Sequence, residues 1–167
     1  REKDRFKAYR KLWNKAIDED FLPLHPLHVD IELSDICNLR CRMCIHALGP
    51  AKGAGFMKED LAARLIAECA AMGVYSVKFN WRGEATLNGF LPEAVKKAKE
   101  SGIMEVQINT NGLPAERRIL TECAQNGIDR IIFSVDGFSK ETYESQRING
   151  NYRQLLRNIH SLIEWRK

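Results

Sequence analysis

Apolar residues recur along the chain in two rhythms, and the rhythms alternate. Phe6, Tyr9, Leu12, Trp13, Ala16 and Ile17 lie at helical spacing and predict a helix over residues 4–17. Pro23 and Pro26 interrupt it, because a ring without an N–H cannot continue the helical ladder. Residues 28–33, His-Val-Asp-Ile-Glu-Leu, then alternate with period two and read as a strand. A long loop rich in Cys and Gly spans 34–56. Leu61, Leu65, Ile66 and Cys69 share one face of a helix over 58–72, which Gly73 ends.

The same alternation repeats three times. A strand at 74–80 precedes a helix at 91–101 that stops at Gly102. A strand at 105–110 precedes a helix at 115–126 that stops at Gly127. A strand at 130–135 is followed by a helix at 152–165, with Leu155, Leu156, Ile159, Leu162 and Ile163 facing inward. Each helix is long enough to carry the chain back to a parallel neighbour, and such crossovers are right-handed. The expected fold class is α/β, an open parallel sheet or part of a (β/α) barrel with four βα units. Residues 1–26 form an N-terminal helix and proline linker, and 27–167 form the α/β unit.

Composition narrows the function classes. The 167 residues are 44% hydrophobic and 29% charged, which fits one domain with a full core and excludes a disordered tail. No apolar run reaches the ~18–20 residues of a membrane span, and no secretory leader opens the chain. The expected location is cytoplasmic. The formal charge of +4 is spread along the sequence, and from Arg1 to Lys15 acids are interleaved with bases. Without a dense basic face, nucleic-acid binding is not expected.

The cysteines change the picture. Five occur, at 37, 41, 44, 69 and 123, and an odd number with three inside eight residues is a poor disulfide framework. Cys69 and Cys123 fall on apolar helix faces and read as core. Cys37, Cys41 and Cys44 sit in the polar loop, where a short turn can direct three thiolates to one soft metal centre. Three thiolates on an iron–sulfur cluster leave one iron open, as a catalyst requires. The alternative is a structural zinc, with His46 as fourth ligand in a zinc-stabilised binding domain.

In parallel βα folds the functional face lies at the carboxyl ends of the strands. Cys37-Asn-Leu-Arg-Cys41-Arg-Met-Cys44 follows the first strand, and Trp81-Arg-Gly-Glu84 the second. Asn109-Thr-Asn-Gly112 ends the third, and Ser134-Val-Asp-Gly137 the fourth. Every cluster of polar or special residues therefore falls on one rim.

These residues carry a resemblance. Cys37-x3-Cys41-x2-Cys44, with the three later stretches in order, resembles the motif set of the radical S-adenosylmethionine (radical SAM) superfamily over about residues 29–163, most like its SPASM or twitch-type branch. The resemblance implies a partial (β/α) barrel, a [4Fe-4S] cluster on Cys37, Cys41 and Cys44, and S-adenosyl-L-methionine on the open iron. It implies reductive cleavage of that cofactor to a 5′-deoxyadenosyl radical, which abstracts hydrogen from a peptide, protein or small-molecule substrate. A low-potential flavodoxin or ferredoxin is the implied electron donor. A radical SAM-like protein that only binds a cluster is a further alternative.

Residue by residue, the resemblance places Met43 beside adenine. It places Gly83 and Glu84 on the methionine ammonium, although Arg82 stands where the family usually has the first glycine. It places Asn109, Thr110, Ser134 and Asp136 near the ribose hydroxyls and the methionine end, and Arg147 on the methionine carboxylate. For Asn109, Thr110, Ser134 and Asp136 the competing role is capping of turns such as Asn111-Gly112 and Asp136-Gly137. No substrate-side acid or base stands out among the histidines His25, His28, His46 and His160, no hydrolytic triad is in register, and residues 49–55 lack a phosphate-loop ending. With four of about six units of the family barrel, no initial Met and a helical ending at Lys167, the sequence reads as a fragment. Further strands, including one that finishes the adenine pocket, are expected beyond it.

Overall fold

In the computed structural model, residues 2–19, 21–49, 52–114 and 118–165 are described. Four strands, β1 (His28–Asp30), β2 (Ser76–Lys78), β3 (Glu105–Thr110) and β4 (Arg130–Phe133), form one sheet. The spatial order is β1-β2-β3-β4 and every pair is parallel. Six helices accompany it: α1 (Glu2–Asp18), α2 (Glu59–Ala71), α3 (Leu91–Glu100), α4 (Arg118–Gln125), α5 (Lys140–Gln146) and α6 (Tyr152–Trp165). The α/β class and the four parallel units expected from the sequence are both present.

The register sets the core. Val29 lies beside Val77, Val77 beside Val106, and Ile108 beside Ile131. Val77, Phe79, Val106 and Ile108 are fully buried and pack with Ile66 of α2, Leu91 and Val95 of α3, and Ile119, Leu120 and Cys123 of α4. Cys69 joins this cluster, so both outlying cysteines are core, as their helical positions predict.

Helix α1 closes the opposite end from the strand carboxyl termini. Its buried Tyr9 stacks on Tyr75 at 5.2 Å between ring centres and packs with Leu27 and Met104. Those three residues immediately precede β1, β2 and β3, so the helix caps the amino end of the sheet.

Three sequence expectations are corrected. The strands expected at 28–33 and 74–80 are shorter ladders. After Asp30, the carbonyl of Leu33 accepts from Met57 N–H and Asn88 Nδ2, and Glu32 accepts from Arg82 N–H. After Lys78, the side chain of Asn80 takes the backbone amide of Asn109 at 2.9 Å. Loop partners thus replace strand partners where the functional loops begin. Leu156 and Ile163, expected to face inward, are exposed, and Leu61 is more exposed than the others on its helix face. Helix α6 leans on α4 and α5 beside the outer strand β4, and Leu155 and Asn158 take the buried positions. Finally, α5 has no apolar period in Lys-Glu-Thr-Tyr-Glu-Ser-Gln and was not expected. Ser139 caps it by accepting from Thr142 N–H, and Tyr143 alone is buried. The start expected for α4, at 115–117, lies outside the described residues.

Among the described residues, no helix is long and apolar enough to cross a membrane.

Candidate functional site

The carboxyl ends of all four strands open into one cavity of about 320 Å³. Cys37, Cys41, Met43 and Cys44 reach it from the loop after β1. Trp81, Arg82, Gly83 and Glu84 come from the loop after β2, Asn109 and Thr110 from the end of β3, and Ser134 and Asp136 from beyond β4. Arg147 enters from the end of α5. Every residue singled out from the sequence as a cofactor contact or cluster ligand lines this space. Asn80 and Asn111 line it too. Asn111 reads from sequence only as turn chemistry before Gly112, and the signal for Asn80 is just its place at a strand end.

The cysteine loop is pinned on two sides. Towards β2, the Glu84 N–H donates to Ile36 O at 2.8 Å. Towards α5, the N–H groups of Arg40 and Arg42 donate to Ile148 O and Gln146 O, each at 3.0 Å. Inside the loop, Arg40 Nη1 donates to the carbonyls of Cys37 and Leu39 at 2.8 Å, and Cys44 N–H donates to Cys41 O at 3.0 Å. These bonds satisfy polar backbone that regular structure would otherwise satisfy.

Gly83 is required by close approach. A Cβ there would lie 2.0 Å from the carbonyl oxygen of Ser34. The residue ahead of it, Arg82, is tied to Glu32 twice, by its N–H at 2.8 Å and by its guanidinium at 3.3 Å. An arginine is therefore accommodated where the resembled motif has glycine, with its side chain at the cavity mouth.

Glu84 is buried, and its carboxylate is organised by the protein. Oε1 accepts from Thr86 N–H at 3.2 Å, Thr86 Oγ1 at 2.7 Å and Thr110 Oγ1 at 2.8 Å. Oε2 accepts from Asn111 N–H at 2.7 Å. Thr110 is likewise buried, its hydroxyl also accepting from Gly112 N–H at 3.0 Å. Arg147 is mostly buried; its Nη2 pairs with Asp136 at 2.6 Å and its Nη1 donates to Cys41 Sγ at 3.8 Å. Burial pushes the thiols of Cys37 and Cys41 up, and the guanidinium of Arg147 opposes this at Cys41.

The residues present fit a cluster with a polar cofactor. Three sulfurs share the cavity wall, N–H donors face two of them, and two buried polar atoms of lining residues, Asn109 Oδ1 and Arg147 Nε, have no protein partner. Buried polar atoms are normally hydrogen-bonded, so these two have capacity for a ligand. His46 is buried outside the cavity lining.

The geometry agrees with the comparisons to known proteins. The sequence model of the radical SAM superfamily matches residues 31–164. The chain is 32% identical over 152 residues to a GTP 3′,8-cyclase of Limosilactobacillus fermentum, covering 87% of this chain and 44% of that protein. It is 33% identical over 139 residues to the GTP 3′,8-cyclase of Lactiplantibacillus plantarum, covering 79% and 40%. The chain thus spans less than half the length of these relatives. Its fold matches Streptococcus suis SuiB bound to S-adenosylmethionine with a TM-score of 0.74, at 19% identity, over 95% of this chain and 36% of that one. It also matches BtrN in complex with AdoMet and 2-DOIA, with a TM-score of 0.60 at 22% identity over 67% and 46%.

Proposed function

The chain belongs to the radical SAM superfamily, and on that premise we propose that it is the catalytic core of an enzyme that cleaves S-adenosyl-L-methionine reductively to start hydrogen abstraction from a substrate. The observation that carries this reading is the meeting of Cys37, Cys41 and Cys44 with the carboxyl ends of β2, β3 and β4 around one cavity. Members of this family bind a [4Fe-4S] cluster and S-adenosylmethionine. When bound, the pair supplies one-electron cleavage of the sulfonium C–S bond and a 5′-deoxyadenosyl radical.

The chain's own residues divide the remaining work. Cys37, Cys41 and Cys44 would hold the cluster through their thiolates. Met43, exposed at the cavity, offers a thioether for apolar contact with adenine. Gly83 lets the backbone approach closely. On Glu84, Oε1 is filled by three donors while Oε2 accepts one, so Oε2 has capacity for an ammonium. Asn109 Oδ1, which has no protein partner, and the hydroxyl of Ser134 would take the ribose diol, whose hydroxyls both donate and accept. Asp136 orients Arg147, and the unpartnered Nε of that arginine is a donor for the methionine carboxylate. The buried hydroxyl of Thr110 serves Glu84 first.

A low-potential flavodoxin or ferredoxin is the proposed electron donor, and a reducing cytoplasm is the compartment that suits unpaired cysteines. GTP is the first substrate to test, because the curated relatives named above are GTP 3′,8-cyclases.

The test is anaerobic reconstitution. The protein should turn brown and bind about four irons per chain, the content of one such cluster. With dithionite and S-adenosylmethionine, wild type should form 5′-deoxyadenosine, and Cys41→Ala should form none. One bound zinc without visible colour overturns the reading. Colour without any cleavage leaves a protein that binds a cluster and performs no SAM chemistry.

A further inference from the structure

We infer that Asn111 is a positioning residue for Cys37 and sets the electronic environment of the cluster held there. This rests on the cluster reading above. Asn111 is buried at the turn leaving β3, and its backbone N–H and its side-chain amide are committed. Its Oδ1 accepts from Leu113 N–H at 2.8 Å, and its backbone N–H donates to Glu84 Oε2 at 2.7 Å. Its amide nitrogen has two hydrogens and two acceptors, Asn38 Oδ1 at 2.8 Å and Cys37 Sγ at 3.9 Å.

Asn38 closes the arrangement by donating from Nδ2 to Leu113 O at 2.8 Å. The two amides therefore clamp the first cysteine to the loop after β3. Through its backbone, Asn111 also fixes Glu84, so one residue links a cluster ligand to the proposed ammonium acceptor. The bond to sulfur has an electrostatic consequence. Reduction adds negative charge to the cluster, and an N–H aimed at a ligand sulfur stabilises the reduced form. Together with Leu39 N–H at 3.4 Å, Asn111 gives Cys37 two such donors.

A role in the turn alone needs only the Oδ1 acceptor. Asn111→Asp keeps that oxygen and removes the donor. Asn111→Ser keeps a short acceptor without added charge and cannot reach Cys37. Both reconstituted variants should hold cluster iron about ten- to hundredfold more weakly against a chelator, the usual effect of losing an outer hydrogen bond to a metal ligand. Both should show a more negative midpoint potential by spectroelectrochemistry. Folded variants with wild-type iron retention and potential overturn the inference. Should both unfold, Asn38→Ala at an exposed position removes the partner that orients the amide, and unchanged retention and potential there overturn it equally. Failure of wild type to take up iron is a different result, which removes the cluster reading itself.

Discussion

The carboxylate of Glu84 accepts the backbone N–H of Asn111 at 2.7 Å, joining the loop after β2 to the end of β3 inside the protein. Two further donors from Thr86 and one from Thr110 make this acid the organising point of the cavity floor. Glu84→Gln should retain acceptance at one oxygen but set an NH2 against the Asn111 N–H. Hydrogen bonds to charged groups contribute about 1.5–3 kcal/mol each, so a loss of about 2–3 kcal/mol is expected in urea unfolding of the cluster-free protein. Wild-type stability would remove Glu84 from this structural role.

Gly83 and Gly89 form a matched pair for testing close approach. A Cβ at Gly83 meets the backbone of Ser34 within van der Waals limits, whereas at Gly89 nothing lies within 4 Å. Gly83→Ala should cost about 1–3 kcal/mol or more, because backbone rather than a flexible side chain must move. Gly89→Ala should stay within about 0.5 kcal/mol of wild type. Thermal melts of the two variants compare them directly, and equal melting temperatures would contradict the packing at Ser34.

Cysteine reactivity should follow burial. Desolvation pushes the Cys123 thiol up to about 12, leaving about one thiolate in ten thousand at pH 8. Cys69 is buried and raised for the same reason. Alkylation of the native cluster-free protein, followed by mass spectrometry, should label half-exposed Cys44 first and leave Cys69 and Cys123 intact until denaturant is added. Early labelling of Cys123 would contradict its place between α4 and the sheet.

Arg82→Gly restores the glycine of the resembled motif. The lost pair with Glu32 is half exposed on the arginine side, so its contribution is at most about 1 kcal/mol. Added backbone freedom costs about as much again. The variant should fold and bind S-adenosylmethionine within a fewfold of wild type by calorimetry. A complete loss of binding would make the arginine a cofactor contact.

Much of the architecture is written in one dimension. The apolar period of two in residues 105–110 and of 3.6 in 152–165 reproduces β3 and α6 to the residue, because buried faces of regular elements must repeat with the element. The glycines at 73, 102 and 127 end helices at positive φ, a local requirement that only local sequence has to meet. The three cysteines and the three later motifs point to one rim through spacing and strand ends alone.

Tertiary structure decided what spacing cannot express. It shortened β1 and β2, since Glu32 and Asn80 bond to partners 50 and 29 residues away rather than to a ladder. It made α5 from polar sequence by burying Tyr143 beside Cys41 and Leu39. It turned Glu84 and Thr110 towards each other, held Arg147 against Asp136, and brought the Asn111 amide to Cys37 across 74 positions of chain. Sequence determines periodicity, caps and the chemical inventory because these are local. Which donor meets which acceptor depends on where the folded backbone places each group, and only the assembled sheet fixes that.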